Sequence, residues 1–563
     1  MYKRQDWIDH VPLNEKYAAG PWRSLDTGFR GEYWSKAIWL FHDSPTLTEA
    51  FLQKYYDSMI LQAEHIMECH SAYRYMSNWG VIENHGLFEI GVCLPQSEKT
   101  KQFIAFAVKN LEVQVRMQIM PDGVHWEQSP MYHNEVLHCL LDVILLAKRN
   151  GIALPDVILR QTEKMAMADV AWLKPDHHIV MMGDSDDVDV RDRISVAAYL
   201  FLNPVLRFGG FDRLDYESIW DLGMKAGEEY AGMERRKPDF TSLFLEHSGN
   251  TYLRSDWSER ANFLHLHSGT MGAGHGHSDK LHIDLVVNGE DVLMDGGRYT
   301  YVSGPKRFSY KDPSGHNTIT VDDLPFTVCK DSWECSKLSQ PVKENFRCME
   351  LAEFAQAGQL GYMDLPGGVY VNRKVVYIKP DLYILVDEMY TGDCHTYQQY
   401  FHFNNHGAVT LTAPGEKKFP CVAYRGKMAE ADFYFVSAQV KAELKRGHIA
   451  RHYNVEEENT VCKVTKPGDG FTSLITVIDA HPGRPLSIEK LPVRSALKQT
   501  DYPETMAEAL KITTGEKEYV VILCHQEVNS PTDLVEADGC MGYGNVIVFD
   551  KAEDVLVGDV LNW

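Results

Sequence analysis

The residues with the greatest capacity for chemistry lie in segment 274–281, which reads Gly-His-Gly-His-Ser-Asp-Lys-Leu. His275 and His277 alternate along what the pattern predicts to be an extended segment, so both imidazoles are expected on one side. Asp295 follows eighteen residues after His277, just past an apolar β-like run, and the segment that contains His316 opens another such run. Two histidines and one aspartate suit zinc, and manganese less tightly. The pattern therefore predicts a metal site at His277, Asp295 and His316, against the alternative of a histidine-rich β surface without metal.

A predicted β-hairpin would bring these ligands together. The β-rich run 281–287 leads into Asn288 and Gly289, a strong signal for a two-residue turn, and a second apolar run follows. A hairpin centred there pairs residues whose numbers add up to about 577. The partner of His277 would then lie near residue 300, close to Asp295.

A second candidate segment contains Trp79, Asn84 and His85. An indole can stack on a pyranose face and an amide can bind a carboxylate, so this combination suits a sugar subsite. A helix start with polar capping residues has the same composition. The residues of this segment alone favour the helix start.

A third candidate segment, 122–133, is predicted to run from a polar, aromatic loop into a helix. Ser129 followed by Pro130 is typical of an N-cap and a first-turn proline, which would place Tyr132 in the first turn. A tyrosine at such a position usually packs as an amphipathic side chain. On its own, this segment does not establish a site.

Helical patterns fill the first two-fifths of the chain. The run to Cys69 follows a capping-box pattern at Thr46 to Glu49, and Asn150-Gly151 has the pattern of a helix end. Apolar spacing predicts helices over residues 46–69, 101–119, 129–149, 155–173, 193–202 and 216–230. Successive helices joined by short loops predict a bundle or a helical toroid.

The pattern changes near residues 235–238, after which short β-rich runs are bounded by turns. Clear examples are residues 375–378, 382–386 and 519–523. Helices followed by strands predict two packed modules and not an alternating βαβ sheet. We therefore predict a helical unit over residues 1–237 and one or more antiparallel β-sheet units over residues 238–563.

The charge of the chain restricts its partners. The 563 residues suggest several domains, and 56 basic against 79 acidic residues give a formal charge of −23. Because phosphate binding needs a basic surface, nucleic acid is not expected as a partner. An acidic sugar remains compatible with a local basic cleft. Five aspartates between Asp184 and Asp192 lack the glycine and closing glutamate of an EF-hand loop, so a solvated acidic loop is expected there.

Cysteine usage and hydropathy bear on the compartment. Eleven scattered cysteines without a C-x-x-C pair predict mostly free thiols. No run is long and apolar enough to span a bilayer. The first residues contain no apolar signal core, so the chain is expected to be cytoplasmic, or secreted or periplasmic if its native start is missing. The sequence does not indicate an oligomeric state.

Taken in order along the chain, four segments resemble the heparinase II/III-like polysaccharide lyases, which are related to oligoalginate lyases. The segments are residues 22–30, the pair Asn84-His85, residues 128–133, and the block that runs from 274–277 through Leu293-Met294-Asp295 to His316-Asn317-Thr318. The resemblance spans roughly residues 22 to 320, and the last block is the most specific.

The resemblance implies an N-terminal (α/α) toroid followed by C-terminal antiparallel β-sheets or a sandwich. This agrees with the predicted break near residue 237. Members of the family often carry more helical sequence before the segment that begins at Trp22. The toroid is therefore expected to be shorter by a helix pair, or the sequence to be truncated.

The resemblance also implies the site residues and the reaction. Metal positions fall on His277, Asp295 and His316, and catalytic positions on Asn84, His85, Tyr132 and His275. The reaction is β-elimination at a uronic acid, in which a base removes the C5 proton, the C4–O bond breaks and an unsaturated uronide remains. The metal, Zn²⁺ first and Mn²⁺ next, is expected to be structural, because it would hold the loop that carries His275.

Within that reaction the side chains would divide the work. Asn84, together with His275 or His85, would neutralise the substrate carboxylate, which alone can take up the charge of the carbanion. Tyr132 would be the general acid, and also the base when proton and leaving group share one face. A histidine, His85 or His275, would be the base for the opposite face.

Five further residues are plausible sugar contacts, each of which could equally be structural: Trp79, Trp126, Gln128, Arg298 and Tyr301. Arg298 could meet a carboxylate or sulfate through two hydrogen bonds. The expected polymer is a glycosaminoglycan such as heparan sulfate or heparin, hyaluronan or chondroitin sulfate, with alginate as the alternative. The rivals from other classes are a non-catalytic carbohydrate-binding protein and a metal-dependent hydrolase.

Overall fold

The computed structural model describes residues 2–412, 418–515, 517–551 and 556–562. The contacts between residues divide the chain into two compact units. Unit 1 comprises Met1–Val170 and Asp189–Lys237, and unit 2 comprises Ala171–Val188 and Pro238–Trp563. The predicted boundary after residue 237 coincides with the end of unit 1. The segment Ala171–Val188, which the helical pattern assigned to the first unit, belongs to unit 2.

Unit 1 is helical. Its helices are α1 Tyr2–His10, α2 Glu15–Ala18, α3 Ser24–Leu40, α4 Glu49–Cys69, α5 Asn78–Cys93, α6 Glu98–Gln118, α7 Pro130–Asn150, α8 Asp156–Trp172, α9 Arg191–Phe201, α10 Pro204–Gly209, α11 Tyr216–Leu222 and α12 Met224–Ala231. A 3₁₀ turn, Ala72–Tyr75, precedes α5.

Most helix limits agree with the capping signals. α7 follows its N-cap Ser129 and ends before Gly151, which adopts the left-handed conformation at φ 64°. Two details differ. α4 begins at Glu49 with Thr48 as its N-cap, so the capping box predicted at Thr46 is wrong. The helix predicted over 216–230 is broken at Gly223, whose φ of 90° favours glycine.

Alternate helices of unit 1 form an inner row. α3 packs on α5, α5 on α7 and α7 on α9, whereas α4 and α6 pack against α5 from outside that row. α5 is buried on nearly all sides, as an inner helix must be. This is the arrangement of an (α/α) toroid, as predicted.

Unit 2 is built mainly from strands, with one short helix, α13 Pro305–Lys311, and a 3₁₀ turn, Pro313–Gly315. The strands are β1 Leu243–Leu245, β2 Asn250–Arg254, β3 Phe263–His267, β4 His282–Val287, β5 Glu290–Leu293, β6 Ile319–Val321, β7 Val328–Cys329, β8 Cys335–Lys337, β9 Pro341–Cys348, β10 Ala352–Tyr362, β11 Val369–Ile378, β12 Leu382–Phe403, β13 Ala408–Thr412, β14 Cys421–Arg425, β15 Glu430–Phe435, β16 Lys441–His452, β17 Val455–Asp479, β18 Leu486–Leu491, β19 Arg494–Ser495, β20 Ala507–Thr514, β21 Lys517–Cys524, β22 Val535–Ala537, β23 Cys540–Gly542, β24 Val546–Asp550 and β25 Val557–Asn562.

The described strands form one large antiparallel sheet, a smaller five-stranded sheet packed on it, and two small sheets, β19-β22-β23 and the hairpin β7-β8. β12 is central: it pairs with β11 and β17, and its end reaches β5. The smaller sheet has the order β18-β20-β21-β24-β25. Alternate residues of β12 serve two cores: Ile384 packs with side chains of the smaller sheet, and Leu385 packs in the core on the other face. Burial on both faces explains the continuous apolar run at 382–386.

Among the described residues, no helix is both long and apolar enough to cross a membrane. The eleven cysteines are free thiols in the structure, as their scatter predicted.

Candidate active site

Asn84 and His85 lie where α5 crosses α3 with the two backbones in contact. A Cβ atom added to Gly31 would lie 2.6 Å from the carbonyl oxygen of Gly86, and one added to Gly86 would lie 2.1 Å from that of Gly28. Any side chain at these glycines would therefore push the helices apart. The crossing fixes the turn of α5 that presents Asn84.

The Asn84 amide is held by hydrogen bonds inside unit 1. The side chain is 1% exposed. Its Nδ2 donates to the carbonyl oxygen of Gly80 at 2.7 Å, and its Oδ1 accepts from Nδ2 of Asn110 at 3.3 Å. Because an amide nitrogen carries two hydrogens, one N–H remains beyond the bond to Gly80.

The loop before α7 is tied to the start of α5. Glu127 accepts hydrogen bonds from Nδ2 of Asn78, the first residue of α5, at 2.9 and 3.1 Å. His133 on α7 accepts from the backbone N–H of His125 and donates through Nε2 to the carbonyl of Met165. Burial lowers the pKa of His133 to about 3, so the ring stays neutral and suits both contacts. These contacts hold the loop before α7 against the first residue of α5 and against α7 itself.

Tyr132 lies in the first turn of α7 and is half-buried. Its backbone N–H donates to the N-cap hydroxyl of Ser129 at 3.5 Å. Trp126 is half-buried too, and its indole nitrogen is buried with no hydrogen-bond partner among the described residues. Gln128 is 2% exposed, and its backbone has a φ of 52°.

Trp79, in the first turn of α5, is half-buried beneath two arginines. The guanidinium carbons of Arg23 and Arg74 lie 5.1 and 4.9 Å from its ring centroid. Both distances are within the range of a cation–π contact. The indole therefore already has cationic partners, and these arginines place positive charge beside it.

His85 faces a cluster of carboxylates in the interior of unit 1. Its Nε2 lies 3.4 Å from carboxylate oxygens of Glu89 and Asp142, and its Nδ1 lies 3.9 Å from Glu32. Burial opposes the charged form, but Cys139, Asp142 and Glu89 outweigh it and raise the pKa of His85 well above its ordinary value. A protonated imidazole has no lone pair for a substrate proton. The structure therefore argues against the base role considered for His85.

Lys36 provides a second cation for this cluster. Its Nζ lies 2.5 Å from Asp142, 3.3 Å from Glu32 and 3.8 Å from Asp221. Replacing Lys36 with methionine is expected to lower the free energy of unfolding by about 3–5 kcal/mol, because buried carboxylates lose their counter-charge. Denaturant unfolding of both proteins measures the loss.

Lys99→Met is the matched control for that substitution. Lys99 pairs with Glu64 at 2.5 Å, but both side chains are more than 40% exposed. Its loss is expected to cost about 0–1 kcal/mol, as for a surface ion pair. Equal losses in the two variants would show that the Lys36 cluster does not stabilise the fold.

In unit 2, His275 and His277 do not lie on an extended segment, so that prediction is wrong. His275 is part of a turn in which the backbone N–H of Gly276 donates to the carbonyl of Ala273. His275 is half-buried, whereas His277 is 1% exposed. The His275 ring lies 5.5 Å from that of Trp333, edge to face.

The structure brings together the three predicted metal ligands. Ligand atoms of His277, Asp295 and His316 lie within 4.8 Å of one another, and all three residues are buried. Nδ1 of His316 lies 2.8 Å from Oδ2 of Asp295. Nδ1 of His277 and Nε2 of His316 are buried without a hydrogen-bond partner among the described residues. Two such nitrogens beside a carboxylate fit a zinc or manganese ion.

The hairpin does not assemble this set in the way the sequence suggested. β4 and β5 pair as expected, with Val287 opposite Glu290, but β4 begins only at His282. His277 precedes it in a loop, held where the N–H of Ser278 donates to the carbonyl of Lys311. The three candidate ligands are therefore brought together by contacts between loops, and not by the pairing of β4 with β5.

A buried carboxylate orients His277. Oδ1 of Asp184 lies 2.9 Å from Nε2 of His277, and Oδ2 accepts from Nη2 of Arg307 at 2.8 Å. Burial opposes ionisation, but His277 and Arg307 outweigh it and hold the pKa of Asp184 well below its usual range. An ionised carboxylate can only accept, so Nε2 of His277 carries the proton and Nδ1 keeps the lone pair that a metal needs. Burial lowers the pKa of His277 itself to about 3, which keeps the ring neutral.

Arg298 is engaged within unit 2. Its Nε and Nη2 donate to the two carboxylate oxygens of Asp186 at 2.7 and 2.8 Å, and its Nη1 donates to the hydroxyl of Tyr301 at 2.6 Å. The guanidinium thus binds a protein carboxylate where a substrate carboxylate or sulfate was expected. The Tyr301 ring lies 6.2 Å from His275 and 5.1 Å from Trp333, so these rings form an aromatic wall.

Sequence reasoning missed the acidic segment that begins at Asp184. Asp184 is fully buried and Asp186 is 8% exposed, so the expectation of a solvated loop is wrong. The signal was the apolar run at residues 179–182 directly before it, all of which is buried. Trp333 was missed because it lies far along the chain from the motif it packs against.

Two family models match consecutive parts of the chain. The heparinase II/III N-terminus model matches residues 1–204, and the heparinase II/III-like C-terminal model matches residues 237–486. The second match contains the candidate metal ligands of unit 2, and the first contains Asn84 and Tyr132.

The named relatives that match this sequence are heparin-sulfate lyases. A heparin-sulfate lyase of Pedobacter heparinus is 25% identical over 359 residues, which cover 59% of this chain and 50% of the relative. One from Bacteroides stercoris is 20% identical over 467 residues, which cover 79% of this chain and 64% of the relative. The chain thus spans between half and two-thirds of the length of these relatives.

Solved structures show the same fold. A crystal structure of heparinase III aligns with a TM-score of 0.75 at 16% identity, over 93% of this chain and 78% of that one. Heparan sulfate lyase from Pedobacter heparinus aligns with a TM-score of 0.70 at 19% identity, over 94% and 79%. The fold class, an α-rich N-terminal domain followed by a β-sandwich domain, is therefore confirmed. With both family models matched in order, the chain belongs to the heparinase II/III-like family.

Proposed function

We propose that this protein is a polysaccharide lyase that cleaves uronic-acid-containing glycosaminoglycans, heparan sulfate or heparin first among them, by β-elimination. One observation carries the proposal. Tyr132 lies in the first turn of α7, and Asn84 lies in the second turn of the adjacent inner helix α5, whose first residue, Asn78, is bonded to Glu127 in the loop before α7. The names of the curated relatives support an acidic polysaccharide as the substrate.

The first requirement of β-elimination is an acidified C5 proton. Its removal leaves a carbanion whose charge spreads into the neighbouring carboxylate, so that carboxylate must be neutralised. Asn84 is proposed to donate its second amide N–H to the carboxylate. Because Gly80 and Asn110 already fix the amide, little reorganisation is needed as charge develops.

Tyr132 is proposed as the general acid to the leaving O4 atom. When the C5 proton and the leaving group share one face, the same phenol also serves as the base. Its place in the first turn of α7 supports this role, because a helix N-terminus stabilises negative charge and thus a transient phenolate.

His275 is proposed as the histidine of the reaction, in preference to His85. It is half-buried in a turn beside Tyr301 and Trp333, whereas His85 is buried among carboxylates. The role proposed for His275 is to donate a hydrogen bond to the substrate carboxylate or to accept the C5 proton.

One divalent metal ion is proposed at His277, Asp295 and His316, with Zn²⁺ first and Mn²⁺ next. A bound ion supplies positive charge and fixes its ligands in place. No proton transfer is assigned to it. Because His277 lies two residues from His275, the ligand set would hold the turn that carries the proposed catalytic imidazole.

Trp126 and Trp79 are proposed as sugar contacts. The buried indole nitrogen of Trp126 offers a hydrogen-bond donor, and Trp79 has arginines beside it that suit an anionic polymer. Tyr301 is proposed to contribute through the aromatic wall beside His275. Arg298 and Gln128 are proposed to support the site from within the protein.

A comparison of polymers tests the function. The protein is incubated separately with heparan sulfate, heparin, hyaluronan, chondroitin sulfate and alginate, and the ultraviolet absorbance of a conjugated C4–C5 alkene is followed. We expect absorbance to rise with heparan sulfate or heparin. A rise in absorbance with alginate alone would show that the substrate is alginate and not a glycosaminoglycan, while β-elimination would remain the reaction.

Two other outcomes would overturn the reaction itself. New reducing ends without alkene absorbance would identify a hydrolase. Binding without either product would identify a carbohydrate-binding protein. The Tyr132→Phe variant is run alongside as the control, because a true lyase signal must depend on that hydroxyl.

A further inference from the structure

The hairpin β7–β8 carries two cysteines that face each other across the strands. We propose that Cys329 and Cys335 form a reversible disulfide that holds this hairpin against the turn carrying His275. The two residues are direct partners in the antiparallel pair. Their Sγ atoms lie 3.4 Å apart, and both are half-buried, so a small external disulfide can reach them.

The hairpin is joined to the His275 turn by several contacts. Nζ of Lys311 donates to the carbonyl of Gly274 at 2.8 Å and to that of Ser332 at 3.1 Å, which bridges the turn and the hairpin loop. Sγ of Cys335 lies 3.5 Å from the sulfur of Met271, two residues before the same turn. Cys329 and Cys335 therefore flank a loop, residues 330–334, that contacts the turn carrying His275.

Trp333, in the hairpin loop, packs against the turn that carries His275. A Cβ atom added to Gly274 would lie 3.1 Å from its ring, and its ring packs edge to face on His275. Yet Trp333 is 49% exposed, so its position depends on how firmly β7 and β8 hold the loop. β7 has only two residues and β8 three, so a covalent bond between them would restrict the loop strongly.

The chemistry is thiol–disulfide exchange with a low-molecular-weight disulfide. The Cys335 thiolate attacks one sulfur of the reagent, forms a mixed disulfide and expels one thiolate. The Cys329 thiolate then attacks Sγ of Cys335 and expels the second. Two protons and two electrons leave the protein, and the reagent becomes two thiols.

The electrostatics favour Cys335 as the first nucleophile. The hydrogen bond from the Cys329 thiol lowers the pKa of Cys335 to about 7, which outweighs the effect of burial. A large fraction is then thiolate at neutral pH, the form that attacks a disulfide.

Peptide mapping tests the cross-link. The full chain is reduced, freed of reductant, incubated with glutathione disulfide, alkylated and digested. We expect one linked peptide, Cys329 to Cys335, to form at least ten-fold faster than any other protein disulfide. Absence of that peptide, or a mixed disulfide with glutathione that persists at Cys335, would overturn the proposal.

Hydrogen exchange tests the mechanical consequence. Amides of residues 271–276 and 330–334 are expected to exchange at least three-fold more slowly in the oxidised protein than in the reduced protein. An unchanged rate at 271–276 would disprove the coupling to the His275 turn. Cys329→Ser should abolish both effects, and Cys394→Ser, which removes an exposed thiol elsewhere, should preserve them.

If Cys329→Ser fails to fold, the proposal is still tested by comparing the oxidised and reduced forms of the wild-type protein. The relevance of the disulfide to catalysis rests on the proposed function, but neither measurement uses activity. A failed lyase assay with an intact cross-link would therefore refute the function alone.

Discussion

Replacing Tyr132 with phenylalanine is expected to lower kcat/KM for β-elimination by roughly 10³–10⁴-fold. A general acid or base contributes about 10²–10⁴-fold to the rate. Tyr132 is proposed to serve as both the acid and the base when the C5 proton and the leaving group lie on one face of the substrate. The ring remains, and so does the bond that the Tyr132 backbone N–H donates to the Ser129 hydroxyl, so the variant should stay folded. Initial rates of alkene formation and a thermal melt measure the two effects.

Tyr216→Phe is the matched control for this substitution. Tyr216 lies on α11 of the same unit and is 72% exposed, so its hydroxyl should be dispensable. If Tyr132→Phe turned over near the wild-type rate, the assignment of the general acid would be wrong. A large loss accompanied by a lowered melting temperature would instead indicate a folding defect.

Replacing His277 with alanine is expected to remove the bound metal and to lower the melting temperature of the protein. A ligand present at 100–1,000 times its Kd stabilises the folded state by about 2.7–4 kcal/mol. The variant should lose that stabilisation, and the buried Asp184 carboxylate should lose its hydrogen bond with His277. Metal analysis of the purified protein and a thermal melt measure the two losses.

Chelation and a second histidine separate metal loss from a packing defect. Treating the wild-type protein with a chelator should reproduce most of the fall in melting temperature, and the same treatment should leave His277→Ala unchanged. His481→Ala, which alters a histidine of unit 2 whose side chain is 64% exposed, should keep the metal. Unchanged metal occupancy in His277→Ala would remove that residue from the site.

Local signals in the sequence predicted the elements well. α7 is an example: the N-cap Ser129, the first-turn Pro130 and the terminal Gly151 all act within a few residues of the helix they delimit. The turn at Asn288-Gly289 likewise specifies its own hairpin. Such signals depend on backbone conformation and capping, which neighbouring residues decide.

The environment of each site residue was less predictable. His85 and Asn84 are adjacent in the sequence, yet one faces carboxylates from α3 and α7 and the other is held by Gly80 and Asn110. Successive residues of a helix point in different directions, so a shared motif does not imply a shared role. Which helices pack on α5 is decided by close crossings such as that at Gly31 and Gly86.

In segment 274–281, too, the sequence indicated the chemistry of the side chains but not their surroundings. Its residue types alone indicated a metal ligand and a reactive histidine, since imidazole chemistry is a property of the side chain. Only the tertiary structure decided that His275 sits in a turn against Trp333 and that Asp184 orients His277. Those partners lie tens of residues away along the chain. Only the packing of the folded chain brings the Trp333 ring against His275 and lets the buried Asp184 carboxylate accept a hydrogen bond from the neutral His277 ring.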